Sequence, residues 1–170
     1  METIFENTYV DTYESVSELN RKLYDPKRPA LGLFNFACAV IVAISIRNSP
    51  MWYFIAIDIA MVMYGIYNLF YHKIWAKWFM RKTLRENHGV IPPGFIKVTD
   101  QFRLQYKSSI IQFPVSKVKE AYFLKYSVRV VCEDGSFITF QRTGFQKGSA
   151  EELEAFIREK CPRAEIIHNA

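Results

Sequence analysis

A chain of 170 residues, half of them hydrophobic (50%) and with a net charge of +5, has room for one small domain beside an apolar anchor and excludes an array of domains. Its three cysteines, Cys38, Cys132 and Cys161, stand in odd number at no metal-ligand spacing, which argues against a disulfide framework and fits a reducing compartment. The cations hug the ends of the apolar stretches, so the basic balance points to a membrane surface ahead of nucleic acid.

Residues 1–28 read as an N-terminal cytosolic segment. Ile4 and Phe5 could open a short strand, and Val10, Tyr13, Val16, Leu19 and Leu23 recur at near-helical spacing until Asp25 and Pro26 end the pattern. The spacing predicts an amphipathic helix. Its apolar stripe could lie on a bilayer, but packing against the C-terminal domain is the favoured reading. The polar, acidic residues ahead of the first apolar run do not form the pattern of a cleavable signal peptide.

Residues 29–71 carry the most informative pattern: Leu31 to Ile46 is almost wholly apolar, Arg47, Asn48, Ser49 and Pro50 make a turn, and Met51 to Tyr71 is apolar again. Backbone amides in hydrocarbon must be satisfied within their own segment, so two such runs predict a transmembrane helical hairpin. At 1.5 Å per residue the runs cover about 24 and about 31 Å, and the shorter one needs Pro29, Ala30 and a snorkelling Arg47 to cross. A buried hairpin in a soluble protein is the alternative, and a chain this short has little else to wrap two all-apolar helices. Ala39 and Ala43, and Ala56 and Ala60, stand four apart and predict close helix approach. Asp58 is the one ionisable group deep in the hairpin, where a charge costs several kcal/mol. A protonated Asp58 bonded within the hairpin, or across a homo-oligomer contact, is favoured over a proton or ion pathway.

Residues 72–91 read as a basic, aromatic juxtamembrane helix. Lys73, Lys77, Arg81 and Arg85 stand four apart, Lys82 adds a fifth cation, and Trp75 and Trp78 supply indole rings suited to the headgroup layer. These side chains are the expected lipid-headgroup contacts, whether they merely fix helix depth or favour anionic lipid. With Arg21, Lys22, Lys27 and Arg28 before the first span, the positive-inside rule places both termini in the cytosol. Asn87 to Gly89 and Pro92 to Gly94 break the helix.

In residues 95–170 the period changes to that of strands. Phe102, Leu104 and Tyr106 alternate with polar neighbours, as do Val128, Val130 and Cys132, and turns fall at Thr99–Gln101, Lys107–Ser109 and Asp134–Gly135. Up to six short antiparallel strands fit before Gly144. Ser149 and Glu152 form a capping box for a last helix whose apolar face is Leu153, Phe156 and Ile157. The expected fold class is an α+β membrane protein: a two-helix transmembrane hairpin plus a small antiparallel β domain closed by a C-terminal helix.

The run Phe137, Ile138, Thr139, Phe140, Gln141, Arg142, Thr143, Gly144 and Phe145, followed by the capped helix from Ser149, resembles the last strand, turn and closing helix of the YcxB-like family of bacterial membrane proteins. The layout of the whole chain is similar to that family. The resemblance implies a pleckstrin-homology-like (PH-like) cytosolic domain on a two-span anchor in a bacterial cytoplasmic membrane, and it carries no activity to particular residues. Lys97, Arg103, Lys107, Lys117, Lys119, Lys125 and Arg129 invite a phosphoinositide reading. However, Arg103 is followed by Leu104 and Gln105 where the usual motif sets two basic residues one apart, so these cations read mainly as the solvated face of the sheet.

His72, His88 and His168 are scattered, no zinc spacing or glycine-rich phosphate loop is present, and neither a cofactor nor a metal is expected. The chain therefore reads as a non-enzymatic binding or assembly module. Expected partners are the bilayer with its anionic lipids, an unidentified protein and a second copy of the chain, with nucleic acid excluded. The rival reading is a small transport or channel subunit using Asp58.

Overall fold

The structure, a computed structural model, describes residues 3–24, 26–46 and 52–169. They fall into two compact units: Leu19–Phe79, and Met1–Glu18 together with Met80–Ala170.

Helix α1 (Tyr13–Leu19) passes into a π-helical turn over Asn20–Tyr24. Val16 and Leu19 of the predicted stripe are buried, while Tyr13 is exposed. Helix α2 (Arg28–Ile46) places Pro29 in its first turn, where a missing N–H is no loss. Helix α3 (Trp52–Glu86) runs unbroken through the apolar stretch and the basic stretch that follows, about 52 Å in all. It stops where His88 (φ 53°) and Gly89 (φ 87°) turn left-handed and the Gly89 amide donates back to Leu84 O at 2.7 Å. Both α2 and α3 are long and apolar enough to span a membrane, and only 11% of each apolar window is buried. The expected turn at Arg47–Pro50 lies outside the described residues.

The two long helices meet at glycines that the sequence reading did not single out. A Cβ on Gly32 would stand 2.9 Å from Gly65 O, and one on Gly65 would stand 3.2 Å from Gly32 O. Ala39 is buried, but Ala43, Ala56 and Ala60 are exposed. At 100° per residue, Ala56 and Ala60 are turned roughly 140–180° from Gly65 and face away from α2.

The second unit holds two sheets. Sheet one contains β1 (Phe5–Tyr9), β2 (Gly94–Val98), β3 (Gln101–Tyr106), β4 (Ser109–Pro114) and β8 (Phe145–Lys147), in the order β4-β3-β2-β1-β8. Sheet two contains β5 (Val118–Leu124), β6 (Ser127–Cys132), β7 (Phe137–Gln141) and β9 (Glu165–Asn169), in the order β7-β6-β5-β9. Strands β2 to β7 take up the room for six before Gly144, and β3 and β6 are the two whose alternation was read. Helix α4 (Ala150–Lys160) is capped as expected, Ser149 Oγ accepting from the Glu152 amide at 3.1 Å. Its Leu153 and Ile157 are wholly buried in a core with Phe102, Phe140, Ile96 and Val130.

A short strand opens at Phe5 as expected, but its pairing, and a further strand at the C-terminal end, were not read from the sequence. Residues 5–9, expected within a separate N-terminal segment, form β1 inside sheet one, pairing antiparallel with β2 from Phe5↔Val98 to Tyr9↔Gly94. Strand β9, which no local pattern announced, pairs with β5 in parallel, Glu120↔Glu165 through Leu124↔Asn169. The long helices are thus inserted in the chain between two neighbouring strands of one sheet.

Candidate functional site

The cations and indoles expected at lipid headgroups lie on α3. Lys73, Lys77, Arg81, Lys82 and Arg85 are exposed, with Lys82 Nζ 3.9 Å from Glu86 Oε1. Trp75 is half-buried and stacks on Phe79 at 5.2 Å, whereas Trp78 is 56% exposed. Lys73 Nζ sits 5.7 Å from the centre of the Phe70 ring. Long aliphatic stems with charged heads beside indoles can place ammonium and guanidinium groups among lipid phosphates.

Asp58 lies seven residues from Gly65, two turns along the same face of α3, and is therefore aimed toward α2. Its Oδ1 is buried with no hydrogen-bond partner. Asn68, 1% exposed, donates from Nδ2 to Tyr64 O at 2.8 Å, which leaves its own buried Oδ1 unpartnered. Asn35 makes the same bond back along its helix, to Leu31 O at 2.7 Å. Each amide nitrogen thus bonds back along its own helix, and Asp58 Oδ1 receives no bond from either. A carboxyl oxygen so placed can accept from a donor brought to it.

A polar cluster in the β unit was not legible in the sequence. The Tyr9 hydroxyl donates to Asp11 Oδ1. Burial, then the Asp11 charge, pushes the Tyr9 phenol far above its ordinary range. Burial also raises the Asp11 carboxyl, against the opposing pull of the Tyr9 hydrogen bond and the Arg129 guanidinium. Arg129 was expected on the solvated face of the sheet. Instead it is 7% exposed, donates from Nε to Thr139 Oγ1 at 3.1 Å and lies 4.1 Å over the Phe137 ring. The nearly continuous burial of β6, Ser127 through Val130, explains the difference, since both faces of this central strand are covered. One signal was present: Val131 stands on the same face as Arg129 and is apolar. The cluster ties the chain leaving β1 to sheet two.

The other cations of the domain behave as read. Lys97, Arg103, Lys107, Lys117, Lys119 and Lys125 are exposed, Lys97 pairing with Glu6 at 3.2 Å and Lys119 with Glu120 at 2.8 Å. Glu18 of α1 accepts from the Lys125 and Tyr126 amides at 2.9 and 3.0 Å, fastening α1 to the β5–β6 turn. An open groove beside α4 is lined by Ile4, Thr99, Asp100, Val115, Ser116, Phe156 and Lys160. Among the described residues no three His, Cys, Asp or Glu side chains gather as a metal site. No protein-family model, curated protein or solved structure matches this chain.

Proposed function

We propose that this chain is a two-span protein of a bacterial cytoplasmic membrane, of the YcxB-like type, that holds a non-enzymatic PH-like domain at the cytosolic face as a binding or assembly module. The observation that carries the proposal is the pairing of β1 with β2. Tyr9 and Gly94 stand opposite each other in two paired strands of one sheet, so they lie on one side of any bilayer. The chain between them must therefore cross an even number of times, and it holds two helices long and apolar enough to do so. A soluble core hairpin would be mostly buried, whereas only 11% of each window is. The cations of α3 after Tyr71 favour the cytosol for that side. Two sheets and a capped helix around one core, closed by the residues that resemble the YcxB-like ending, favour the PH-like reading.

Topology is the test. In cells carrying the chain with Cys38, Cys132 and Cys161 replaced by alanine, Ser49→Cys is expected to react with a membrane-impermeant maleimide and Glu133→Cys only after permeabilisation. Labelling of Glu133→Cys in intact cells, with Ser49→Cys protected, would overturn the proposal.

A second reading, a small transport or channel subunit, draws on the buried and unpartnered Oδ1 of Asp58. Under it, Asp58→Asn abolishes a proton or ion flux in proteoliposomes. Under the binding-module reading, that variant keeps the domain's partner capture and no flux is lost.

A further inference from the structure

Helix α3 carries tyrosines as well as apolar residues on an exposed side, with only the last of the row, Tyr71, half-buried. Tyr53, Ile57, Ala60, Tyr64, Tyr67 and Tyr71 follow one another at alternating steps of four and three, the repeat that forms a straight seam between two left-handed supercoiled helices. Tyr53, Tyr64 and Tyr67 are 42%, 49% and 41% exposed, and Ile57 and Ala60 are exposed too. The tyrosines already touch along the seam: Tyr64 stacks on Tyr67 at 6.4 Å, and Tyr67 meets Tyr71 edge-on at 5.6 Å. Arg28 lies 3.7 Å over the Tyr71 ring at the end of the row.

This matters if α3 lies in lipid, the premise taken over from the proposed function. Over a span from Trp52 to Tyr71, Tyr64 sits about 4 Å from the midplane and Tyr67 about 8 Å from it. At that depth neither water nor an acyl chain can satisfy a phenol hydroxyl. A hydroxyl both donates and accepts, so the seam is complementary to itself, and two copies with the same membrane orientation would bring each tyrosine against its counterpart. Ala60, between the tyrosines, has the small side chain that lets two helices approach.

We propose that the α3 tyrosine seam is a homodimer interface, whose occupant is the same seam of a second copy in parallel. The full-length chain with Cys38→Ala is the starting point, because Cys132 and Cys161 are 2% and 5% exposed and stay protected in the core. Oxidation in native membranes is expected to link Ala60→Cys into a disulfide dimer. Ile66→Cys, 41% exposed on another side of α3, should link at least about fivefold less. Tyr64→Phe with Tyr67→Phe should lower the linked fraction about threefold or more, the scale of one or two interhelical hydrogen bonds.

Alkaline carbonate extraction of the same membranes separates the two possible failures. A carbonate-resistant protein that links equally from both positions, or is unmoved by the phenylalanines, overturns the dimer and leaves the membrane reading standing. A protein released by carbonate has no seam in hydrocarbon, and both readings fall together.

Discussion

The Asn7 side chain takes the place of a neighbouring strand for Gln141: its Nδ2 donates to Gln141 O at 2.8 Å and its Oδ1 accepts from Gln141 N at 3.2 Å. Asn7 is in sheet one and Gln141 ends a strand of sheet two, so one amide joins the sheets with the two bonds a strand partner would make. The Gln141 side chain answers by accepting from the Val10 amide at 3.3 Å. Asn7 is 2% exposed, and water cannot readily substitute for it. Asn7→Ala strands both main-chain groups of Gln141 and is expected to cost about 3 kcal/mol, at roughly 1–3 kcal/mol per unsatisfied buried group. Thr8→Ala, which loses one exposed bond from Gln146, should cost under about 1 kcal/mol. Denaturant unfolding of the detergent-solubilised full chain, followed by domain fluorescence, compares them. Equal midpoints would show that Gln141 is satisfied in another way.

The same corner needs a residue without a side chain. A Cβ on Gly144 would stand 2.2 Å from Thr8 O, closer than any rotamer change can relieve because the obstacle is backbone. Gly144→Ala must push β1 from the segment leading into β8. It is expected to destabilise by several kcal/mol and to raise amide hydrogen exchange across β1 and β8. Gly135→Ala is the comparison: Gly135 has φ +84° but nothing within 4 Å, so it meets left-handed strain alone, about 1–2 kcal/mol. Gly135→Ala costing more than Gly144→Ala would contradict this account.

What could be read from the sequence was whatever repeats locally. Phe102 and Val128 announced strands because a buried face recurs every second residue, and Ser149 with Glu152 announced a helix start because the cap is four residues long. The alternation Phe5, Asn7, Tyr9 is also present, but its partner strand lies beyond the entire helical insertion, and no period encodes that distance. Strand β9 depends likewise on Ala121 and Phe123 far upstream. Arg129 misled because charge is a good guide to exposure only on a sheet with one open face. Ala56 and Ala60 misled for a related reason: spacing shows that two small residues share a face, and only the contact shows that Gly32 and Gly65 own the face that meets the other helix.

That contact gives a prediction within the helical unit. Gly65→Leu would drive a branched side chain into Gly32 O and the Phe36 ring, at 3.2 Å already for the Cβ. The helices must separate, and protease resistance of the α2–α3 pair in detergent should fall. Ala56→Leu, on the face turned from α2, should leave that resistance unchanged. Equal behaviour of the two variants would place the helix contact elsewhere.

The Asp11 cluster makes stability depend on pH in a direction opposite to the usual carboxylate. Its folded pKa is raised above the ordinary 3.8, chiefly by burial, so the folded state binds the proton more tightly than the unfolded chain does. The stabilisation from the protonated carboxyl is complete below 3.8 and is lost as pH rises through the folded value. Glu120, held down by its hydrogen bonds from Lys119 and Tyr122, contributes with the opposite sign, so the informative quantity is a difference between variants. Subtracting the thermal midpoints of Asp11→Asn from those of the parent chain should give a curve that falls as pH rises from about 4 toward neutrality. Tyr9 acts at the other end of the scale. Its neutral phenol is favoured by folding, so its contribution persists below its ordinary 10.0 and is lost as pH rises beyond it, a loss that Tyr9→Phe removes. A parent-minus-Asp11→Asn difference that rises over the acid range would mean that the Arg129 guanidinium outweighs burial and that the carboxyl is charged in the fold.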